Sequence, residues 1–158
     1  EGMSDCNVAV IVEGKKDKKA LLSLFIIITA CIVLLDQLLK YLILLFNPVY
    51  HLGILTIHFI SNTGAGFGIL QGKTIWLGFI SLFVAGAIVY YYKEIPKEKT
   101  AQMLFAVFLG GVVGNLIDRF FRGFVIDFID FSFWPAFNIA DAAISLSAIG
   151  LIIYFWKK

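Results

Sequence analysis

Asp127 sits in Val125-Ile126-Asp127-Phe128 and Asp141 in Phe137-Asn138-Ile139-Ala140-Asp141, each flanked by apolar residues. If two carboxyl groups meet in such surroundings, like-charge repulsion and desolvation keep one protonated while the other ionises. Such a pair offers a base to activate water and an acid to protonate a leaving amide nitrogen, and it titrates as a unit. Two unrelated helix-end aspartates are the competing reading, and composition alone leaves both open. Other polar residues recur at helical spacing. Asp36 and Lys40 stand i, i+4 and can pair along one face, as a structural anchor or as support for a site. Asn115, Asp118 and Arg119 also share a face; alone they read as an interhelical polar clamp, with Arg119 able to neutralise a carboxylate or hold a backbone carbonyl.

Several other chemistries lack their residues. There is no G-x-S-G serine nucleophile, no G-x-G-D and no H-E-x-x-H. His51 and His58 lie seven apart without a nearby carboxylate in sequence and read as partly solvated strand residues, so no metal is expected. Cys6 and Cys31 form no CxxC, which argues against a zinc site or a disulfide framework. Asn62-Thr63-Gly64-Ala65-Gly66-Phe67-Gly68 holds three alternating glycines, which allow close backbone approach to a ligand. It fits neither the dinucleotide fingerprint nor the P-loop, so a peptide-binding loop is the better reading and no cofactor is expected.

The elements that must position these groups belong to a membrane. Of 158 residues, 60% are hydrophobic and only 15% charged, and the mean hydropathy is +0.91. Ordinary soluble domains have about 45–50% apolar and about 25% charged residues. A soluble enzyme or a disordered scaffold is therefore excluded, and a net charge of +2 is too small to indicate a nucleic-acid partner. Since about 20 apolar residues cross a bilayer, the chain is predicted to be an all-α polytopic membrane protein with four transmembrane helices, at about 20–41, 74–92, 101–119 and 137–156. Residues 1–19 are expected to form a cytoplasmic leader, and 20–158 a single four-span domain.

Basic residues orient the bundle. With both termini cytoplasmic, Lys15, Lys16, Lys18, Lys19, Lys93, Lys97, Lys99, Lys157 and Lys158 lie inside, against Lys40, Lys73, Arg119 and Arg122 elsewhere. Asp36 then lies about 24 Å into a core of about 30 Å. Asp118 reaches a similar depth, and Asp141 stands at the start of the descending fourth span, so three helices bring aspartates toward the outer leaflet boundary. Outside the spans, Asn47-Pro48 breaks a helix. Ile54–Ile60, rich in β-branched residues, is predicted to be a short half-buried strand of an extracytoplasmic cradle. The aromatic stretch from Phe120 to Pro135 is expected at the membrane interface.

Five blocks in order, Asp36-Gln-Leu-Leu-Lys40, Asn62-Thr-Gly-Ala-Gly-Phe67, Gly110-Gly-Val-Val-Gly-Asn-Leu-Ile-Asp-Arg119, Val125-Ile-Asp-Phe128 and Phe137-Asn-Ile-Ala-Asp141, closely resemble lipoprotein signal peptidase, the type II signal peptidase. The resemblance covers about residues 20–156. It implies a membrane aspartyl endopeptidase that removes the signal peptide of a prolipoprotein before a diacylglyceryl-modified lipobox cysteine, with Asp127 and Asp141 as the catalytic dyad. Its supporting residues map onto Asp36, Lys40, Asn62, Asn115, Asp118, Arg119 and Asn138. The strand and glycine loop of residues 50–70, Gly64 included, would cradle substrate, with Asn62 and Arg119 reaching its backbone carbonyls. The same likeness implies no cofactor, globomycin-type inhibitors in the same groove, membrane lipid as surroundings, a monomer, and residence in the cytoplasmic membrane. Gly66 stands where the family usually has Ala, and Ala142 where Ser is common. The leader is longer than the family needs and opens with Glu1.

Two alternatives carry their own signals. Membrane aspartates also make proton relays, so a small ion-coupled carrier is conceivable, although no aspartate lies mid-span in the second helix. Ile28-Thr29-Ala30-Cys31 after a lysine cluster resembles a lipobox, so the chain could itself be cut before Cys31; that cut would sever the first span.

Overall fold

A computed structural model of the chain describes the backbone of residues 2–65 and 69–158 and the side chains of 17–65 and 69–158. Gly66 and Phe67 of the glycine loop, and the side chains of Cys6, Lys15 and Lys16, lie outside the described residues. The elements run α1 (Gly2–Phe46), β1 (Tyr50–Leu52), β2 (Leu55–Asn62), α2 (Thr74–Tyr90), a 3₁₀ turn (Tyr92–Glu94), α3 (Lys99–Phe121), β3 (Val125–Phe131), β4 (Trp134–Phe137) and α4 (Ile139–Trp156). The fold is four apolar helices with a small antiparallel sheet. Among the described residues three of the helices are long and apolar enough to cross a membrane, and α2 is an apolar helix one residue shorter than α4.

α1 does not stop at the edge of its apolar stretch. It is helical over 45 residues, about 68 Å at 1.5 Å per residue, and so runs well past the expected Ala20 boundary. Lysine is a good helix former, which lets the lysine-rich stretch continue the helix beyond the apolar span. Ile28–Cys31 lies inside this unbroken helix.

α3 is the central helix, and its glycines explain why. A Cβ on Gly110 would stand 2.7 Å from Ile32 Cβ of α1, and one on Gly111 2.5 Å from the Ala140 carbonyl oxygen of α4. Membrane helices gain little from hydrophobic burial against each other and rely on close packing, so small residues mark their contacts. α1 and α4 thus approach α3 on its glycine faces, and Thr29 Oγ1 donates to the Ala106 carbonyl at 3.1 Å. Phe25, Ala85, Ala106, Leu109 and Val112 form the interior between α1, α2 and α3.

The sheet has the order β1-β2-β3-β4, all antiparallel. Ile60 faces Asp127 and Asn62 faces Val125, with a register irregularity between Ile57 and Ile60. The expected strand at 54–60 is present as β2, which begins one residue later and ends two residues later. The aromatic stretch 120–135 divides. Val125–Phe128 are buried in β3, because Ile126 and Phe128 pack with Ile43 of α1, whereas Phe121 and Phe133 remain 85% and 73% exposed.

Candidate active site

Asp118, near the end of α3, accepts the backbone N–H of Ile126 at 3.1 Å, and the Ile126 carbonyl accepts Asn138 Nδ2 at 3.1 Å. β3 is therefore tied to α3 and to the start of α4 one residue before Asp127. Asp127 is 1% exposed. Its carboxylate accepts Asn62 Nδ2 from β2 and Asn138 Nδ2, each at 2.8 Å.

Asn138 is the N-cap of α4 and Asp141 the third residue of its first turn. The Asn138 side chain accepts from Asp141 N at 2.9 Å, and the Asp141 carboxylate accepts from Asn138 N at 3.2 Å, a reciprocal cap. A carboxylate at a helix N-terminus also meets the favourable end of the helix dipole. Its other oxygen accepts Asn115 Nδ2 at 2.8 Å. Asp127 and Asp141 are thus held on the two sides of one residue, Asn138.

The three asparagine amides have fixed orientations, because each carbonyl end is already spoken for. Asn62 Oδ1 accepts Gly64 N at 2.9 Å, and Asn138 Oδ1 accepts Asp141 N. Asn115 Oδ1 accepts Lys40 Nζ at 3.0 Å and Asn138 Nδ2 at 3.2 Å. An amide has one acceptor end and one donor end, so every NH₂ is turned toward an aspartate. Burial first, and then the charge of Asp141, push the Asp127 carboxyl up to about 7, against the lowering effect of its two amide donors and of Lys40.

Behind this layer lies a charged one. Lys40 Nζ stands 2.7 Å from Asp36 and 2.9 Å from Asp118, all three side chains fully buried. Asp36 also accepts Ala140 N at 2.9 Å, which fixes the first turn of α4 to α1. Buried charges must be paired and hydrogen-bonded to be tolerated. Two partners here were missed at the level of sequence. Gln37 Nε2 donates to Asp118 Oδ1 at 3.1 Å and to the Gly114 carbonyl at 3.0 Å. Arg122 pairs with Asp118 and donates to Gln37 Oε1 at 2.8 Å. The i, i+4 spacing of Asp118 and Arg122 was the available signal.

A cleft of about 560 Å³ opens at Asp141, its lining including Asn62, Gly64, Ala65, Arg119, Trp134–Phe137 and Ala142. A Cβ at Gly64 would stand 2.7 Å from the Ile69 carbonyl oxygen, so the turn requires glycine there. Thr74 Oγ1 at the start of α2 donates to the Thr63 carbonyl at 2.8 Å and fastens the loop to the bundle. Arg119 reaches Ser81 Oγ at 3.4 Å, while its Nε is buried with no partner among the described residues. The structure brings Asp127, Asp141, Asn62, Asn115, Asn138, Asp36, Lys40 and Asp118 into one connected network, with Gly64 and Arg119 on the cleft wall. The histidines stand apart: His58 pairs with Asp130 on the sheet at 3.0 Å, and His51 is exposed on β1.

Residues 28–157 match the family model of signal peptidase (SPase) II. The chain belongs to the signal peptidase II family. It is 32% identical over 142 residues to the lipoprotein signal peptidase of Halothermothrix orenii, covering 84% of this chain and 94% of that one. It is 41% identical over 132 residues to that of Caldanaerobacter subterraneus subsp. tengcongensis, covering 78% and 90%. A solved bacterial membrane enzyme structure, obtained by the in meso method at 2.3 Å, superposes with a TM-score of 0.79 at 32% identity, over 85% of this chain and 88% of that one. A second, at 1.9 Å, gives 0.76. Membership of the signal peptidase II family makes this a multi-pass membrane aspartic peptidase and displaces the carrier reading.

Proposed function

We propose that the chain removes the signal peptide of diacylglyceryl-modified prolipoproteins, cutting before the modified cysteine, with Asp127 and Asp141 as the catalytic dyad. The observation that carries this is the pair of carboxyl groups held on either side of Asn138, one fully buried and one on the cleft wall. Near neutral pH the pair shares one proton, and burial with the neighbouring charge of Asp141 favours Asp127 as its holder. The ionised Asp141 takes a proton from water as the hydroxyl oxygen bonds to the scissile carbonyl carbon. Asp127 then gives its proton to the leaving amide nitrogen as the C–N bond breaks. Asn62, Asn115 and Asn138 hold both carboxyl groups in place, and water is the nucleophile without a cofactor.

The glycine turn at Gly64 and the unpaired Arg119 Nε support the cleft as the seat of the substrate backbone, with Asn62 and Arg119 meeting peptide carbonyls. Globomycin-type inhibitors would fill the same cleft. The enzyme works as a monomer in the cytoplasmic membrane, both termini inside and the sheet outside. The positive ends of nine lysines against four other basic residues favour that orientation. The test is cleavage of one precursor with and without the diacylglyceryl group, by the purified protein in detergent micelles. The proposal expects a cut before the cysteine of the modified precursor only, blocked by globomycin. Equal cleavage of both forms, or a cut elsewhere, would refute the substrate assignment.

A further inference from the structure

Far from the aspartates, a second cavity opens between α1 and α2 with α3 as its floor. It is a groove of about 600 Å³ lined by Leu22, Phe25, Ile26, Thr29, Ala30, Val33 and Leu34 of α1, by Leu109 of α3, by Val89 in the last turn of α2 and by Tyr92 just beyond it. The α1 residues follow i, i+3, i+4, i+7 spacing, so they form one stripe along the helix. Thr29, the polar side chain on that stripe, is already donated to the Ala106 carbonyl. The α1 stripe therefore offers hydrocarbon, and the Tyr92 hydroxyl is the other side-chain polar group on the wall.

Size and charge select the occupant. From Leu22 to Leu34 is 12 residues, about 18 Å, close to the depth of one leaflet of a core about 30 Å thick. An acyl chain is thin enough to lie along a stripe of this length. Continuing the stripe toward the N-terminus by three and four residues gives Lys19 and Lys18, both exposed. Lys93 follows Tyr92 at the same end, also exposed. The Lys93 carbonyl accepts from Lys97 Nζ at 3.0 Å, but none of the three ammonium groups has a hydrogen-bond or ion-pair partner among the described residues. Lys97 is beside them, with its ammonium 5.2 Å above the Tyr92 ring. Asp17 and Glu94 are the acidic neighbours, so positive charge prevails at this end. An apolar groove one leaflet long that ends in lysine ammonium groups complements the charge pattern of an anionic amphiphile.

The geometry points to a binding site for one anionic phospholipid of the bilayer, with an acyl chain along Leu22–Leu34 and its phosphate at Lys18, Lys19 and Lys93. This site is separate from the cleft and does not depend on the substrate proposed above.

The test is native mass spectrometry of the full-length protein released from detergent micelles doped with equal phosphatidylglycerol and phosphatidylcholine. Wild type should retain one phosphatidylglycerol in at least tenfold preference. Ala30→Trp, which fills the groove, should lose that lipid, and the triple variant Lys18→Gln, Lys19→Gln, Lys93→Gln should retain the two lipids equally. A photoreactive benzophenone residue at position 30 of the otherwise unchanged protein, irradiated in vesicles of the same composition, should give an adduct of one phospholipid mass. Unchanged retention by Ala30→Trp, no lipid preference in wild type, or an adduct with a second copy of the chain or with an added precursor's signal peptide would each overturn the assignment.

Discussion

At the scale of single residues, the decisive feature is that every amide near the two aspartates is already committed at its oxygen end. The amides cannot rotate away without breaking a second bond, so the carboxyl groups keep their donors. Asp127 nonetheless holds its proton to about 7, because burial and the charge of Asp141 outweigh those donors. An unfolded aspartate has a pKa of about 3.9, so between pH 4 and pH 7 the folded state binds more protons at this position than the unfolded one. Stability then falls as pH rises through that window. Asp127→Asn removes the titration, and its melting temperature in detergent should decline less than that of wild type between pH 5 and pH 8. In turnover, activity should fall as pH rises through about 7, where the acid is lost, and fall again at low pH, where the base takes a proton. A flat profile with chemistry rate-limiting would contradict the protonated-and-ionised pair.

Elements decide whether those residues meet. Gly110, Gly111 and Gly114 let α3 touch both α1 and α4, and a Cβ at Gly114 would stand 2.7 Å from the Asp36 carboxylate. Gly111→Val should therefore push α4 away, lower the melting temperature, destabilise by about 1–3 kcal/mol and cost activity through displacement of Asp141. Gly86→Ala, at a position open around its Cα, should leave both unchanged. Much of this was legible in the sequence. The apolar runs marked four helices, the β-branched run marked β2, and the Asp36–Lys40 spacing marked an ion pair that is present. Arg122 and Gln37 were not legible as members of the buried network, because membership depends on which face of α1 meets α3. The pairing of β2 with β3 was equally hidden, since it joins residues far apart in sequence, from Asn62 with Val125 to Leu55 with Phe131. Aromatic content drew the 120–135 stretch toward the membrane surface, whereas the buried Ile126 and Phe128 needed the side of α1 to complete them.

The whole molecule separates into two ends. One carries the sheet, the cleft and the aspartates; at the other, before the start of α3 and at the end of α4, Glu98 accepts from Lys158 Nζ at 2.5 Å and from Tyr154. In a Cys6→Ser, Cys31→Ser background, a cysteine at position 53 should react with a membrane-impermeant maleimide added to intact cells, and one at position 97 only after lysis. The reverse pattern would invert the topology proposed from the lysines. Chemistry at one end and charge at the other also fit an enzyme whose substrate is itself anchored in lipid and presents its cleavage point near one face of the bilayer.

The most direct measurement is cleavage of a diacylglyceryl-modified precursor by wild type, Asp127→Asn and Asp141→Asn, each purified in detergent and shown to be folded by its melting transition. The dyad predicts a cut before the modified cysteine by wild type and at least a thousandfold loss in each variant. Cleavage at the wild-type rate by either folded variant would make that aspartate structural and contradict the mechanism.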